Sequence, residues 1–467
     1  MTSSHQNHTP AAEEHFDLII IGTGSGNSIP SPEFDDQKIA IIEKGTFGGT
    51  CLNVGCIPTK MYVYAADIAL AAREAGRLGL DAQVNSVDWD SIVDRVFTNR
   101  IDQIAKGGEQ YRRGEETPNI TVFDEHARFI GPKTIQTGEH VITGEQIVIA
   151  AGSRPVIPEV YAKSGVKYYT NEDIMRMDHQ PQSLIVVGGG YIAMEFAHVF
   201  DGLGTEVTVV NRSETLLRHL DDDLSSRFNQ IARDRFDVRI ANGTQLEKTD
   251  KGVRLELDDG TSIEAEAILV ATGRTPNGDQ MDVDKASIEL LADGRIKTDE
   301  FGRTTAEGVW ALGDVSSPYM LKHVANAEMR SVQHNLLHPE DLRPLPHDNV
   351  PAAVFTHPQI ATVGRTEKQA REEGFDVTVK VQNFGDVAYG WAMEDKTGIC
   401  KLVADRATGQ LLGAHLMGPQ ASTLIQQLIT AMAYSLDMRK FTRNQYWIHP
   451  ALPEVVENAL LGLEWQK

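Results

Sequence analysis

Two apolar stretches, FDLIII at residues 16–21 and SLIVV at residues 183–187, each run into a glycine-rich turn, and this pattern predicts an α/β fold. Each strand and turn open a Rossmann-like βαβ unit, so the sequence predicts two dinucleotide-binding domains. From about residue 350 such turns stop. Residues 395–417 then indicate strands and residues 420–434 an amphipathic helix, which predicts a C-terminal α+β interface domain.

The composition is that of a soluble globular protein, and 467 residues are enough for several domains. The formal net charge of −22 argues against nucleic acid and against an anionic membrane as partners. No stretch of about 18 apolar residues is present, so we expect no membrane-spanning segment. Residues 1–15 are polar and predict a disordered tail without a signal peptide. Only three cysteines occur, which favours a reducing, cytoplasmic location.

The first turn can bring the backbone close to a pyrophosphate. Its glycines are Gly22, Gly24 and Gly26. The next strand, residues 39–42, ends at Glu43, where a carboxylate can accept a hydrogen bond from an adenosine ribose. Asn27 occupies the third glycine position of the usual pattern. Because Pro30 and Pro32 follow, we expect the first helix to be short or distorted.

The second turn contains Gly188 and Gly190, with Ala193 at the third position, as the pattern allows. The strand that follows, residues 207–210, ends at Asn211 rather than at an acid. Arg212 and Arg218 come shortly afterwards. A missing carboxylate together with added arginines suits a 2′-phosphate, so the sequence favours NADPH over NADH.

Three further apolar strands define domain limits. Residues 147–152 end at Gly152, residues 268–273 end at Gly273, and residues 309–314 end at Asp314, whose carboxylate could face a ligand at the sheet edge. We therefore predict domains at 16–155, 156–277, 278–349 and 350–467.

The segment GGTCLNVGCIPTK, residues 48–60, contains Cys51 and Cys56. Gly55 and Pro58 predict that Cys56 lies at a helix N-terminus, where the helix dipole stabilises a thiolate. We expect Cys51 to lie earlier, in a loop, and to face outward. Two buried apolar thiols are the structural alternative. A metal site is disfavoured, because no second cysteine pair supplies the remaining zinc ligands.

This segment resembles the redox-disulfide signature of the flavoprotein disulfide reductases, and the resemblance extends over the chain from residue 16. It implies FAD in domain 16–155, NADPH in domain 156–277 and a homodimer formed through domain 350–467. Domain 278–349 would complete the FAD site through Asp314. The resemblance further implies that cofactor contacts are made by Gly49, Thr50, Gly152, Gly273, the ion pair of Lys60 with Glu195, and Tyr191 as a gate over the nicotinamide pocket.

The C-terminal segment WIHPALPEVVENAL contains His449 and Glu454. A histidine that is hydrogen-bonded to a carboxylate has a fixed orientation and a stabilised imidazolium. The pair matches the catalytic pair that family members contribute from the partner subunit. The resemblance thus implies that electrons pass from NADPH through FAD to a Cys51–Cys56 disulfide. Cys51 would then attack a small-molecule disulfide, and His449 would protonate the leaving thiol.

The C-terminal residues LLGLEWQK contain no cysteine pair, which disfavours the large thioredoxin reductases and mercuric reductase. Residues 22–28, 46–50, 61–66 and 389–395 are similar to the branch of the family that reduces mycothione, the disulfide of mycothiol, and Asn27 is shared with that branch. A lipoamide or glutathione reductase remains an alternative, as does a non-catalytic flavoprotein subunit. Tyr111 is a candidate for the substrate cleft.

Overall fold

The computed structural model of the chain describes residues 14–466. Within them, two compact units are each built from three chain segments. The first unit contains the segment up to Pro58, Val93–Val156 and Arg274–His347. The second contains Thr59–Ile92, Ile157–Gly273 and the segment from Asp348 onward. In this part of the chain, no helix is both long and apolar enough to cross a membrane.

The strands are given in chain order. They are β1 (Glu14–Ile21), β2 (Ile39–Ile42), β3 (Ile120–Phe123), β4 (Ala127–Gly131), β5 (Thr134–Thr137), β6 (His140–Ile149), β7 (Ser153–Pro155), β8 (Ser183–Val187), β9 (Glu206–Asn211), β10 (Asp237–Ile240), β11 (Gly243–Thr249), β12 (Gly252–Leu257), β13 (Ser262–Ala265), β14 (Ala267–Val270), β15 (Arg274–Pro276), β16 (Val309–Ala311), β17 (Ala352–Val354), β18 (Ile360–Gly364), β19 (Val377–Asn383), β20 (Ile399–Asp405) and β21 (Leu411–Met417).

The α-helices follow the same convention. They are α1 (Gly49–Asn53), α2 (Cys56–Glu74), α3 (Trp89–Val96), α4 (Asp102–Arg113), α5 (Glu159–Ala162), α6 (Tyr191–Leu203), α7 (Asp222–Arg235), α8 (Lys322–Leu337), α9 (Glu367–Glu372), α10 (Ala388–Ala392), α11 (Ala421–Leu424), α12 (Gln426–Ala433), α13 (Met438–Arg443) and α14 (Pro453–Leu461).

The first unit is built on a sheet with the order β3-β2-β1-β6-β5-β4. Strands β3, β2, β1 and β6 run parallel, and β16 joins the sheet in parallel beside the C-terminal half of β6. Apolar residues cover both faces of this sheet in two buried clusters. Because ligands bind at the carboxyl ends of parallel strands, the turns after β1, β2, β6 and β16 are the candidate binding positions.

The second unit contains another parallel sheet, in the order β10-β9-β8-β14. Its first strand, β8, is again central, flanked by the strand that follows it and by a later one. The two units therefore repeat one topology. The second unit also contains the antiparallel sheet β11-β12-β13 and the antiparallel sheet β17-β18-β21-β20-β19. The residues of β20 and β21 are all buried. This architecture confirms the predicted α/β fold class with a C-terminal α+β region.

Several predictions for single strands and helices can be compared with the structure. The strands predicted within 395–417 are β20 and β21, and the helix predicted over 420–434 is present as α11 and α12, which Ile425 separates. The expected distortion after the first turn is confirmed, because only the short 3-10 turns Gly26–Ser28 and Pro32–Phe34 follow β1.

The predicted tail needs one correction. Glu14 and His15 belong to β1, because Glu14 pairs with Ile142 of β6 and its carboxylate accepts from Lys38 Nζ at 2.8 Å. The remainder of the predicted tail, residues 1–13, lies outside the described residues. The predicted domain boundaries stay a prediction.

Candidate active site

The first glycine turn is shaped by contacts of its backbone. Gly22 has a φ of 101°, and a Cβ added there would lie 2.4 Å from the carbonyl oxygen of Ala150 at the end of β6. A Cβ on Gly26 would lie 2.8 Å from the Cβ of Ala150. A Cβ on Gly24 would meet nothing within 4 Å. Gly22 and Gly26 are thus needed for packing within the chain, whereas the backbone of Gly24 is left open to a ligand.

Glu43 follows β2 and is tied to the same turn. Its Oε2 accepts from the backbone nitrogen of Thr23 at 3.0 Å and from the Thr23 hydroxyl at 2.6 Å, while Oε1 accepts from Gly45 N at 2.9 Å. A carboxylate oxygen can accept more than one hydrogen bond. The position and orientation of Glu43 therefore fit an acceptor for a ribose hydroxyl beside the turn.

Asn27, which departs from the usual glycine pattern, has a partner of its own. The Arg112 side chain donates from Nε to Asn27 Oδ1 at 2.9 Å and from Nη2 to the Asn27 carbonyl at 2.7 Å. Arg112 is buried, and burial lowers its pKa. The arginine thus fixes the chain where a regular first helix is missing. The neighbouring Tyr111 is half exposed on α4.

Strand β16 ends at Ala311, earlier than predicted, and Asp314 lies in the 3-10 turn Gly313–Val315 that follows. Its carboxylate accepts from the Ser153 hydroxyl at 2.6 Å. Ser153 also accepts from Arg274, whose Nε lies 2.8 Å from its hydroxyl oxygen and whose Nη2 lies 2.7 Å from its carbonyl. Gly152 and Gly273, at which two of the predicted strands end, have φ values of 67° and 144°. The structure therefore brings Asp314 and Gly152 to one edge of the first sheet.

The second glycine turn repeats the geometry of the first. Gly188 has a φ of 127°, and a Cβ there would lie 2.3 Å from the carbonyl oxygen of Ala271 after β14. A Cβ on Gly190 would meet nothing within 4 Å. Tyr191, partly exposed, is the first residue of α6. The second unit therefore offers an open backbone turn at the N-terminus of a helix, which favours binding of an anionic group.

Asn211, the last residue of β9, is buried, and its side chain donates hydrogen bonds to the loop that follows the strand. Its Nδ2 donates to the Ser213 carbonyl at 2.7 Å and to the Thr215 carbonyl at 3.4 Å. Arg212 and Arg218 of this loop are exposed. Neither guanidinium makes a hydrogen bond or an ion pair with any residue between 14 and 466. The two cations are consequently available to an external anion.

The cysteine pair lies on two consecutive helices. Helix α1 carries Cys51 and α2 begins at Cys56, so the predicted helix start is confirmed. The expected loop position and outward orientation of Cys51 are wrong, since Cys51 is half-buried and Cys56 is the exposed thiol. Gly48 and Gly49, with φ values of 105° and 70°, let the chain turn into α1 directly before Cys51. Thr50 is exposed beside it.

Both cysteines are free thiols, and the pKa of Cys51 is raised above its usual range. The largest cause is the hydrogen bond between the Cys51 and Cys56 side chains, followed by burial and by the charge of Cys56. The positive charge of Lys322 acts in the opposite direction and lowers the pKa of Cys51. In the reduced pair, the hydrogen bond to Cys56 and burial therefore both oppose ionisation of Cys51.

In the second unit, the predicted ion pair is present. Lys60 Nζ lies 2.6 Å from Glu195 Oε2, and Glu195 is buried on α6. The other carboxylate oxygen accepts from the backbone nitrogen of Phe355 at 2.9 Å. Lys60 Nζ also lies 4.5 Å from the centre of the Phe355 ring. The carboxylate thus has a hydrogen-bond partner on each oxygen and holds the lysine in place.

The predicted histidine–carboxylate pair is also present. His449 Nδ1 lies 2.7 Å from Glu454 Oε1, and Glu454 Oε2 accepts from Ala451 N at 3.2 Å. Glu454 is in the first turn of α14 and is largely buried, whereas the His449 side chain is 70% exposed. The buried carboxylate therefore fixes an imidazole whose Nε2 is free to face outward.

Comparisons with known proteins place these elements in one family. Residues 16–330 match the family described as "Pyridine nucleotide-disulphide oxidoreductase". Residues 350–460 match the dimerisation domain of the same family. The chain belongs to the pyridine nucleotide-disulphide oxidoreductase family. Its cofactors are accordingly FAD and NAD(P)H, and the open backbone at Gly24 and Gly190 fits the two nucleotides.

Individual relatives span nearly the whole chain. A mycothione reductase of Mycobacterium tuberculosis is 55% identical over 96% of this chain and 100% of its own length. A glutathione reductase of Burkholderia cepacia is 31% identical over 94% of this chain and 97% of its own. Among solved structures, the HOCl-induced flavoprotein disulfide reductase from Escherichia coli matches with a TM-score of 0.83 and 26% identity, covering 96% of this chain and 99% of its own.

Three side-chain contacts of the site were not predicted. They are Arg112 with Asn27, the Phe355 backbone with Glu195, and Lys322 with Ser25, whose hydroxyl accepts from Lys322 Nζ at 2.9 Å. None of the three had a local signal in the sequence, because the partners are at least 85 residues apart in the chain. In residues 14–466, no group of three or more His, Cys, Asp or Glu side chains could hold a metal ion.

The contrast between two glycines gives a test of the first nucleotide site. We expect Gly24→Ala to fold normally, because the new methyl group meets no other protein atom within 4 Å. It should bind FAD at least about tenfold more weakly, because the methyl group would occupy space that the cofactor needs. Gly22→Ala should destabilise the protein itself, since a positive φ costs about 1–3 kcal/mol before the clash with Ala150 is added. FAD titration and thermal unfolding measure the two effects. A Gly24→Ala variant that retains FAD like the wild type would contradict the assignment.

Proposed function

We propose that the protein is an NADPH-dependent mycothione reductase, which reduces mycothione to two molecules of mycothiol. The observation that carries this substrate is the 55% identity to a mycothione reductase over that relative's full length. The paired thiols, the open nucleotide turns and the oriented histidine support disulfide reduction as the reaction. Glutathione and lipoamide remain the alternative substrate classes of the family.

We assign different tasks to the two cysteines. FAD, when bound, supplies the two electrons that open a Cys51–Cys56 disulfide. Cys56 then holds the negative charge, because it begins α2, where the helix dipole favours an anion. Cys51 retains its proton in hydrogen bonding to Cys56 and becomes the attacking thiolate once a base removes that proton. The mixed disulfide formed on Cys51 is resolved by Cys56.

We propose that His449 of the partner subunit is this base and later the acid that protonates the leaving thiol. The imidazole is mostly exposed on a single chain, and its neighbours Tyr446 and Ile448 are exposed as well. Exposed apolar side chains next to an oriented imidazole suit a segment that another surface covers. The match of residues 350–460 to a dimerisation domain supports a homodimer with a shared site.

A panel of disulfides tests the substrate. The purified protein should oxidise NADPH with mycothione at a kcat/KM on the order of 100-fold or more above the values for glutathione disulfide and lipoamide. Cys51→Ser serves as the inactive control. If glutathione disulfide or lipoamide is turned over faster than mycothione, that disulfide is the substrate and the assignment of mycothione is wrong. No turnover with any disulfide would overturn the reductase proposal and favour a non-catalytic flavoprotein.

The nicotinamide preference has its own test. Replacing Arg212 and Arg218 together by alanine should raise the KM for NADPH by at least about tenfold and leave that for NADH nearly unchanged, because each charge-assisted hydrogen bond to phosphate contributes about 1.5–3 kcal/mol. Arg239→Ala is the matched control, since Arg239 is exposed in the same unit and pairs with Asp237 at 2.9 Å. An unchanged NADPH preference in the double variant would remove these arginines from the site.

Subunit mixing tests the shared site. Cys51→Ser and His449→Ala chains should each be nearly inactive, because each lacks one half of every site. After dissociation and joint reassembly, each heterodimer should contain one intact site and regain turnover, while each parent reassembled alone stays inactive. Verified heterodimers that remain inactive would mean that His449 acts within its own chain or has no catalytic role.

A further inference from the structure

Helix α8 of the first unit begins with a charge that its own dipole disfavours. Lys322 is the first residue of this 16-residue helix, and no acidic residue lies in the first turn. The N-terminus of a helix carries partial positive charge, so a lysine there is unfavourable unless another group uses it. Within residues 14–466, Lys322 forms no ion pair with a carboxylate, and it is half-buried.

The ammonium of Lys322 is instead directed at the first glycine turn. Its Nζ donates to the Ser25 hydroxyl at 2.9 Å, and that hydroxyl donates to Asn326 Oδ1, one turn later in α8, at 3.0 Å. Ser25 is buried. Helix α8 therefore holds the lysine through a defined hydrogen-bond chain, and its position is fixed rather than spread over solvent.

The same turn touches the helix that carries Cys51. A Cβ added to Gly49, the first residue of α1, would lie 2.7 Å from the Cα of Gly24. Gly24 precedes Ser25, and Cys51 is two residues beyond Gly49. The contact of α1 with the turn and the contact of Lys322 with the turn thus bring the ammonium and the cysteine pair to one place in the first unit.

We propose that Lys322 is a positioning residue for thiol–disulfide exchange, which holds positive charge beside the cysteine pair and so favours the nucleophilic thiolate of Cys51. This inference rests on the proposed function. The charged and titratable neighbours of the Cys51 sulfur are Cys56, which opposes ionisation, and Lys322, which favours it. A cation beside Cys51 stabilises its thiolate, and so partly offsets the opposition of Cys56 to the ionisation that the attack on substrate requires.

The chemical step balances without a further reactant. The Cys51 thiolate attacks one sulfur of the substrate disulfide, a bond forms between the two sulfurs, and the other substrate thiolate leaves and takes a proton from the acid. The Cys56 thiolate then attacks the Cys51 sulfur, which restores the disulfide and releases the second substrate thiolate. Lys322 takes part in neither bond change, and it acts only through the charge that it places near Cys51.

Alkylation of the reduced holoenzyme by iodoacetamide tests the proposal without substrate or nicotinamide, so its result does not depend on mycothione turnover. Three variants separate charge from hydrogen bonding: Lys322→Arg keeps the charge, Lys322→Gln keeps a donor to Ser25, and Lys322→Met keeps neither. Lys297→Met is the control, because Lys297 belongs to the same unit and pairs on the surface with Glu289 at 2.7 Å. Mass spectrometry of peptides gives the modification of Cys51 separately from that of Cys56.

We expect the Met and Gln variants to alkylate at Cys51 about tenfold more slowly at neutral pH, with the pH profile of that reaction displaced upward by about one unit, because the thiolate fraction falls tenfold per unit. The Arg variant and Lys297→Met should match the wild type. Unchanged Cys51 reactivity in Met and Gln variants that retain FAD would overturn the proposal. So would variants that lose FAD but show wild-type reactivity once FAD is restored, because Lys322 would then serve cofactor binding alone.

Discussion

In both units, the first strand of a parallel sheet is followed by a glycine that packs against the carbonyl oxygen of the residue after a neighbouring strand. Gly22 meets Ala150 and Gly188 meets Ala271 at distances that leave no room for a Cβ. This contact turns each chain sharply over the carboxyl edge of its sheet. The open space beside the Gly24 backbone and the hydrogen bond from Thr23 to Glu43 both lie at this turn. The repeat of one constraint in two sheets underlies a chain that binds two nucleotides.

The two cysteines differ because the backbone around them differs. Cys56 opens a long helix, whereas Cys51 belongs to a short helix that ends just before it. Gly55 permits this sharp connection, since a Cβ there would lie 2.8 Å from the carbonyl oxygen of Thr50. The hydrogen bond between the thiols then opposes ionisation of Cys51 and raises its pKa. The different surroundings of two identical side chains thus arise from one helix start and one glycine.

Sequence reasoning succeeded where the signal is local. The glycine turns, the helix start at Cys56 and the strands β20 and β21 each depend on a few consecutive residues. It failed where the decisive partner is distant in the chain. Arg112 lies 85 residues from Asn27, and Lys322 lies 297 residues from Ser25. The short helix around Cys51 was missed because a five-residue segment that begins with a glycine has little helix propensity of its own, so its formation depends on packing.

In the proposed function, the preference for NADPH over NADH would depend on more than the two arginines. The amide of Asn211 donates to the carbonyls of Ser213 and Thr215, and so holds the loop that presents Arg212. An aspartate at this position has no donor, and its charge would repel both carbonyl oxygens. At the proposed 2′-phosphate site, an acid at position 211 would therefore weaken anion binding in two ways. Its charge would repel the phosphate, and the loop that carries Arg212 would lose the hydrogen bonds that hold it. In this proposal, Asn211 acts through the shape of the loop and not by direct contact with the phosphate, because its own side chain is buried.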